Sequence, residues 1–256
     1  MQTVILCGGL GTRLSEETHL KPKPMVEIGH KPILWHIMKI YAHFGKSNFV
    51  LALGYKSKVI KAFFANYHLM TSDLIAHVAT GKMDYQQNDA EDWVVQMMET
   101  GQKSMTGGRL LRLKELLQPQ GTFMLTYGDG VTDLHVADLI KFHRQHGKLA
   151  TVTAVHPPSR FGAMRIEDAQ VTEFAEKPQA SEGWISGGFF VFEPGIFDYL
   201  TDDATVLERE PLENLARDGQ LMAYKHKGFW MCMDTLRDKK ALEAMWAEQR
   251  APWKVW

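Results

Sequence analysis

Short, uninterrupted apolar runs alternate with helix-like patterns over about the first 155 residues. The run TVILC at residues 3–7 is β-branched and unbroken, which is typical of a strand buried on both faces of a parallel sheet. NFVLAL, TFMLTY and LATVTAV have the same character, and LIAHVA predicts a further strand. Between them lie helical patterns, the first of which starts at Pro32 and then carries apolar residues at i, i+3, i+4 and i+7. This alternation predicts a Rossmann-like α/β fold, a mixed, mostly parallel sheet flanked by helices.

The pattern changes in the last hundred residues. AMRIE and QVTEFAE flank a turn-like DA and predict a hairpin, while WISGGFFVF predicts one long strand with paired glycines. Helices are expected near 207–217 and 236–248. The segment from about 84 to 110 is polar and predicts a long functional loop or an insertion. We expect one domain over residues 1–256, with a first part of about 1–155 and a C-terminal extension of about 156–256.

Composition excludes several classes of protein. Hydrophobic residues make up 45% of the 256 residues, charged residues make up 23%, and the formal net charge is −1. This balance gives no basic surface for nucleic acid or membrane lipid, and no window approaches the ~20 apolar residues of a membrane span. Cys7 and Cys232 form no CxxC pair, so we interpret both as buried, reduced thiols. Residues 4–7 are too short for a signal-peptide core, which favours a cytoplasmic location.

The first strand runs into a glycine-rich loop. Gly8, Gly9 and Gly11 match neither G-x-G-x-x-G nor G-x-x-x-x-G-K-[ST], so both common nucleotide fingerprints fail. Glycines let backbone N–H groups turn towards an anion, and Arg13 adds a rigid fork of donors suited to phosphate. The alternative is an ordinary strand–helix turn with Arg13 on the surface.

Three further residues suggest phosphate and metal chemistry. KPKPM at residues 21–25 holds Lys23 between two prolines, which stiffen the chain and favour a positioned cation. Asp129 follows a predicted buried strand, and Asp234 follows the aromatic run GFW. Carboxylates with phosphate oxygens are the ligands that Mg²⁺ prefers, although a single Asp in a turn is also an ordinary turn former.

His143 and His146 have the spacing of possible metal ligands, but they lack a third ligand nearby, so we favour a structural role for both.

These motifs together resemble a known family. GGLGTRL followed by KPKPMVEI is similar to the nucleotidyltransferases that join a nucleoside triphosphate to a sugar 1-phosphate. SEETHLKPKPMVEIGHKPILWHI resembles the branch of the glucose-1-phosphate cytidylyltransferases. The likeness continues through GYK, MTGGRL, TYGDGV, EKP, GGFFVF and MDTLRDK, and covers essentially the whole chain. Cys7 stands where the family usually has alanine.

The resemblance implies a reaction and a set of residues. Glucose 1-phosphate would attack the α-phosphorus of CTP to give CDP-glucose and pyrophosphate, and Asp129 and Asp234 would hold the Mg²⁺. A phosphate monoester is largely dianionic at neutral pH, so the attack needs no general base. Arg13 and Lys23 would be the catalytic cations. The nucleotide-binding residues implied are Leu6, Cys7, Gly8, Gly9, Leu10, Gly11, Thr12, Arg13, Lys23, Ser104, Arg109 and Gly128.

The resemblance also assigns the extension to the sugar phosphate, with Glu173, Lys177, Ser186 and Gly187 as contacts. Ser186 departs from the asparagine typical of this branch, which puts the choice of sugar in question. Arg109 has three alternatives: a base contact, a contact across a subunit interface, or an ordinary helix-surface residue. A homo-oligomer such as a hexamer is implied, and the product would feed bacterial surface polysaccharides such as O-antigen. A uridylyl or thymidylyl enzyme and a noncatalytic sugar-nucleotide sensor remain alternatives.

Overall fold

The computed structural model describes residues 1–9, 11, 14–88, 90–157, 163–167, 170–175 and 183–256. Its strands are β1 (Thr3–Leu6), β2 (Glu27–Ile28), β3 (Lys31–Pro32), β4 (Asn48–Leu53), β5 (Ser72–His77), β6 (Lys82–Asn88), β7 (Val94–Glu99), β8 (Phe123–Tyr127), β9 (Gly130–Thr132), β10 (Ala150–Val155), β11 (Ala163–Glu167), β12 (Gln170–Ala175), β13 (Ile185–Ser186), β14 (Phe190–Phe192), β15 (Leu221–Lys225) and β16 (Trp230–Cys232). Its α-helices are α1 (Ser15–Thr18), α2 (Ile33–His43), α3 (Ser57–Ala65), α4 (Tyr67–Thr71), α5 (Thr106–Leu111), α6 (Lys114–Leu117), α7 (Val136–His146), α8 (Glu210–Arg217) and α9 (Leu236–Ala247), with 3-10 helices at Lys23–Met25, Gln118–Gln120 and Pro194–Tyr199.

A central sheet organises the molecule. Its strand order is β13-β10-β14-β8-β1-β4-β7, and β15 pairs with β10. Strands β8, β1, β4 and β7 run parallel, whereas β14 runs antiparallel between β8 and β10. The predicted mixed, mostly parallel sheet is therefore confirmed. Because β1, β4 and β8 point the same way, their carboxyl ends meet at one edge, where ligands bind in open α/β sheets.

Both faces of the sheet are covered, as the unbroken apolar runs predict. In β1, Val4 and Leu6 pack into one core cluster while Ile5 packs into the other, following the two-residue period of a strand. Helix α2 lies on the Ile5 side, where it buries most of its length. On the opposite face, Leu110 of α5 and Leu215 of α8 pack into the second core cluster.

The chain from 72 to 117 departs from the sequence prediction. The first four residues of LIAHVA lie in β5, and Val78 and Ala79 lie in the turn after it. Within the described chain, β5 pairs with β6 alone, in a separate two-stranded hairpin. The expected loop from about 84 to 110 contains β7, a parallel partner of β4, and the start of α5. This prediction was wrong because β7 is half exposed, so its apolar residues are mixed with polar ones. RLLRLKELL is divided between α5 and α6.

The long strand predicted from WISGGFFVF is interrupted. β13 and β14 both pair antiparallel with β10, but Gly188 and Phe189 between them have φ angles of 73° and 49°. These left-handed conformations break the ladder and redirect the chain. The kink places Ser186 and Gly187 beside the carboxyl-terminal half of β10.

The C-terminal tail packs onto the first half of the same chain. Trp253 is fully buried against Trp246, and its indole N–H donates to Nδ1 of His36 on α2 at 3.4 Å. Trp253 therefore anchors the C-terminal tail within the same chain. In the ranges described, no helix is both long and apolar enough to cross a bilayer.

Candidate active site

A cavity of about 800 Å³ opens at the carboxyl ends of the parallel strands. One wall is the end of β1 with the glycine loop, and a second is the end of β8 with Gly128 and Asp129. The segment that follows β7 forms a third wall, which includes Ser104 and Arg109. The predicted nucleotide residues of the described chain thus come together around one space: Leu6, Cys7, Gly8, Gly9, Gly11, Lys23, Ser104, Arg109 and Gly128.

Some predicted residues lie outside the described ranges. These are Leu10, Thr12, Arg13 and Lys177. Glu173 lies on β12, where its backbone pairs with Arg165 of β11. The roles assigned to these five residues remain predictions.

Two glycines at the cavity are required by close packing. A Cβ on Gly8 would lie 2.1 Å from Nη1 of Arg109, and a Cβ on Gly128 would lie 2.7 Å from Cγ of Pro24. Gly9, in contrast, would meet no atom within 4 Å. The glycine loop is therefore held against a buried arginine at Gly8 and is open at Gly9.

Lys23 is held rigidly at the cavity wall. It starts the 3-10 helix Lys23–Met25, directly after Pro22 in an extended conformation, and Pro24 is the next residue. The residue is only 9% exposed. Its Nζ donates to Oδ2 of Asp129 at 2.6 Å and to Oδ1 of Asp234 at 2.5 Å. Burial disfavours the charged ammonium, but the two carboxylates outweigh it, and the pKa of Lys23 is raised.

The β9–β16 ladder brings the two acids together. Cys232 pairs with Gly130, and the backbone N–H of Met233 donates to the carbonyl of Asp129 at 2.9 Å. Asp234 then precedes Thr235, whose side chain and Asp238 form a capping box at the start of α9. The positions that sequence reasoning assigned to a metal therefore meet at one nitrogen atom, although they are far apart in the chain.

The donor set fits Mg²⁺ as a substrate-bound ion. No group of three or more His, Cys, Asp or Glu side chains suited to a metal occurs in the described part of the chain. Mg²⁺ is commonly held by one or two carboxylates, with waters and substrate phosphates completing its octahedron. Asp129, which lines the cavity, and Asp234, which shares Nζ of Lys23 with it, would supply the two carboxylates.

Arg109 is buried, with 4% of its surface exposed. Nη1 donates to the carbonyls of Leu53 (3.2 Å) and Gly101 (2.6 Å), and Nη2 donates to the carbonyl of Gly8 at 2.9 Å. Burial lowers its pKa. The alternative of a helix-surface arginine is thus wrong, since the guanidinium ties the glycine loop to the segments after β4 and β7.

Ser186 and Gly187, for which the sequence predicts contacts with the sugar phosphate, adjoin the same edge of the sheet. Ser186 is exposed on β13 opposite Ala154, and the buried Gly187 accepts a hydrogen bond at 2.8 Å from Nε1 of Trp230. A Cβ on Gly187 would lie 2.8 Å from the side chain of Val155. Since β16 carries Trp230 and leads to Asp234, Gly187 is linked structurally to the carboxylates.

Cys7 and Cys232 are free thiols and are not joined in a disulfide. Cys7 is buried and Cys232 is half-buried, so the expectation of burial is correct for Cys7 and only partly so for Cys232. Burial raises the pKa of both thiols, that of Cys232 to about 12. Both therefore remain protonated at neutral pH.

Sequence reasoning missed several cavity residues. Gln102, Lys103 and Thr106 lie in the segment for which the sequence predicts a loop, so the sequence pattern does not show that they follow a strand of the sheet. Tyr55 and Tyr127 follow or end predicted parallel strands, and that position alone could have identified them as cavity residues.

Comparison with known proteins agrees with this geometry. The model of the Nucleotidyl transferase family matches residues 2–235. A glucose-1-phosphate cytidylyltransferase of Salmonella typhi is 54% identical over 256 residues, covering 100% of both chains. HddC from Yersinia pseudotuberculosis has a TM-score of 0.70 at 22% identity, covering 96% of this chain and 99% of its own. A UDP-glucose pyrophosphorylase complexed with UDP-glucose has a TM-score of 0.69 at 17% identity, covering 97% and 99%, respectively. The chain belongs to the nucleotidyl transferase family, in the branch of the glucose-1-phosphate cytidylyltransferases.

Proposed function

We propose that the chain transfers CMP from CTP to α-D-glucose 1-phosphate, giving CDP-glucose and pyrophosphate. One observation carries the proposal: an ammonium and two carboxylates meet at the wall of a cavity that is also lined by a glycine loop. The full-length likeness to the Salmonella enzyme supports the choice of substrates.

The chemistry required is displacement at phosphorus. An oxygen of the sugar phosphate forms a bond to the α-phosphorus, and the bond from that phosphorus to the β-phosphate oxygen breaks. Both partners are polyanions, so positioned positive charge and alignment lower the barrier. Lys23 would donate to phosphate oxygens, and the backbone N–H groups of the glycine loop would bind the leaving phosphates. Asp129 and Asp234 would hold Mg²⁺, which neutralises phosphate charge.

The remaining assignments belong to this proposal. Arg13, with Leu10 and Thr12, completes the phosphate loop, and Ser104 and Arg109 contribute to the base end of the cavity. Glu173, Lys177, Ser186 and Gly187 contact the sugar phosphate. We also propose that the protein is located in the cytoplasm, which cell fractionation would check.

A triphosphate screen tests the proposal. The protein would be incubated with Mg²⁺, glucose 1-phosphate and CTP, UTP or dTTP in turn, and pyrophosphate release would be followed. CTP should give the highest kcat/KM, by at least about tenfold, because a base read by hydrogen bonds is discriminated strongly. Faster turnover of UTP or dTTP would contradict the base assignment. Tight binding of CDP-glucose with no pyrophosphate formed would support the sensor instead.

The same assay tests the sugar. Glucose 1-phosphate is expected to be used in preference to its galactose and mannose counterparts. Serine at position 186 reaches less far than asparagine, so the preference depends on residues besides Ser186. A better kcat/KM for either counterpart would contradict the sugar assignment.

We also infer a homo-oligomer with contacts through the β5–β6 hairpin. The hairpin pairs with no other strand of the described chain, and a lone two-stranded hairpin is only marginally stable in water. Ile75 and Tyr85 are about half exposed, and Val78 at the turn is 92% exposed. Such a surface is typical of a protein contact.

Sedimentation velocity would measure the assembly. The wild-type chain is expected to be larger than a monomer at micromolar concentration, and Ile75→Lys is expected to shift it towards smaller species. Leu20→Lys, at an exposed position far from the hairpin in sequence, is the matched control. A monomeric wild type would exclude the oligomer.

A further inference from the structure

Two hydroxyl groups of the cavity wall share one carboxylate. Tyr127 at the end of β8 donates to Oε1 of Glu208 at 2.5 Å, and Thr106 at the start of α5 donates to Oε2 at 2.6 Å. Tyr127 and Thr106 line the cavity, whereas Glu208 is an exposed residue in the segment before α8 and is not among the lining residues. Nothing in the sequence had indicated Glu208.

The protons of both hydroxyls point towards Glu208. A phenol is an ordinary hydrogen-bond donor at neutral pH, and the O–H of Tyr127 is directed at Oε1 of Glu208. Thr106 Oγ1 accepts the backbone N–H of Leu207 at 2.9 Å, which leaves its own proton for the carboxylate. An ionised carboxylate can only accept hydrogen bonds. Each hydroxyl therefore presents lone pairs, not a proton, to a ligand in the cavity.

The backbone around Thr106 is braced by the same segment. The N–H of Met105 donates to the carbonyl of Asp203 at 2.8 Å, and the N–H of Gly107 donates to that of Thr205 at 2.9 Å. A Cβ on Gly108 would lie 2.4 Å from the carbonyl oxygen of Asp203, so the two segments are in close contact. Thr106 therefore has little freedom to turn away from Glu208.

We propose that Glu208 is a specificity-determining positioning residue. It fixes the hydroxyls of Tyr127 and Thr106 as acceptors, so that this wall favours a nucleotide that brings a hydrogen-bond donor to it. The inference rests on the proposed function. Two parts of CTP carry such donors: the exocyclic amine of cytosine and the ribose hydroxyls. Uracil presents a carbonyl in place of the amine, and an acceptor facing an acceptor leaves both unpaired.

Glu208→Gln is the sharpest test. An amide has one acceptor and one donor group, so one of the two hydroxyls must reverse and present its proton to the cavity. If the wall reads the amine, the CTP/UTP ratio of kcat/KM should fall by about tenfold or more. If it reads the ribose, the ratio of CTP to 2′-deoxyCTP or 3′-deoxyCTP should fall similarly. The change is expected mainly in KM, since Glu208 does not touch the reacting atoms.

Three variants keep the test specific. Glu208→Asp retains an acceptor-only side chain and should keep more of the discrimination than Glu208→Gln. Glu210→Gln, two residues further along and exposed in the first turn of α8, is the matched control and should behave as wild type. Tyr127→Phe removes one acceptor without touching Glu208, and should lower the same ratio even if Glu208→Gln folds poorly.

The outcomes separate this inference from the proposed function. Unchanged ratios in a folded Glu208→Gln protein would overturn the inference while leaving the function intact. An equal loss for every nucleotide, together with a lowered Tm, would mean that Glu208 is only structural and would also overturn it. A wild type that prefers UTP would contradict the function, and the ribose comparison would still decide the role of Glu208. A wild type without turnover leaves calorimetric binding of CTP and 2′-deoxyCTP to decide it.

Discussion

The ammonium of Lys23 is nearly buried and yet remains charged. Asp129 and Asp234 accept hydrogen bonds from Nζ of Lys23 at 2.6 and 2.5 Å, and the side chain is 11% exposed. Pro22 and Pro24 limit the backbone on either side, so the cation has one position rather than many. Such a preorganised charge costs no reorganisation when a phosphate arrives, which is the property that electrostatic catalysis requires.

Replacing Lys23 by Ala should therefore lower kcat for pyrophosphate release by about 100-fold or more, in the range found when preorganised donors are removed. Lys21→Ala is the matched control. Lys21 is two residues away and forms a partly exposed ion pair with Glu27, a type of contact worth ~1 kcal/mol or less. It should leave kcat close to the wild-type value. Intact turnover in Lys23→Ala would remove Lys23 from the mechanism.

At the residue scale, the sequence identifies candidate site residues whose immediate neighbours in the chain form a recognisable pattern. Lys23 lies between prolines, and Asp129 lies in a glycine turn after an apolar run. Glu208 has no such signal, because its partners Tyr127 and Thr106 are 81 and 102 residues away. Its function as an acceptor for two hydroxyls exists only once these three segments are packed together.

The elements place the site residues through a few specific pairings. The short β9–β16 ladder brings Asp129 and Asp234 to one point, and the kink at Gly188 separates β13 from β14.

The α2 helix anchors the C-terminal segment. His36 on α2 is fully buried, donates from Nε2 to the carbonyl of Ile28 at 2.8 Å, and stacks edge-on against Trp246 at 4.6 Å.

Burial lowers the pKa of His36 to about 4 from an ordinary value of 6.5. The folded state therefore stays neutral at pH values where the unfolded chain binds a proton. Its contribution to stability is complete above about pH 6.5 and is lost as the pH falls towards 4, at about 1.4 kcal/mol per pH unit. Between pH 6.5 and 5, His36 should account for about 2 kcal/mol of the decrease in the free energy of unfolding.

Urea unfolding of wild type and His36→Gln at several pH values would measure this. The variant is expected to be less stable at pH 7 and to lose less stability on acidification than the wild type. His43→Gln, at an exposed position in the last turn of α2, should retain the wild-type slope. Parallel pH profiles for wild type and His36→Gln would mean that the buried imidazole does not set the acid sensitivity.

At the scale of the whole molecule, the two predicted parts of the chain share one sheet. Strand β14, from the second part, lies between β8 and β10 of the first, and β15 pairs with β10 along its length. The C-terminal Trp253 packs against His36 near the other end of the chain. Strand pairing within one sheet thus fixes Ser186 and Gly187 relative to the cavity walls at the ends of β1 and β8.

The alternation of strands and helices, the glycine loop and the proline-held lysine could all be read from the chain alone. These features depend on residues close in sequence, since hydrophobic period and backbone restriction act locally. The tertiary structure decided which distant groups meet. Lys23 reaches Asp129 and Asp234 across 106 and 211 residues, Arg109 is buried beneath Gly8, and β5 leaves the central sheet. Such contacts form because packing of the whole core gives one global arrangement the lowest free energy. A local sequence pattern carries no information about which distant residues that arrangement brings together.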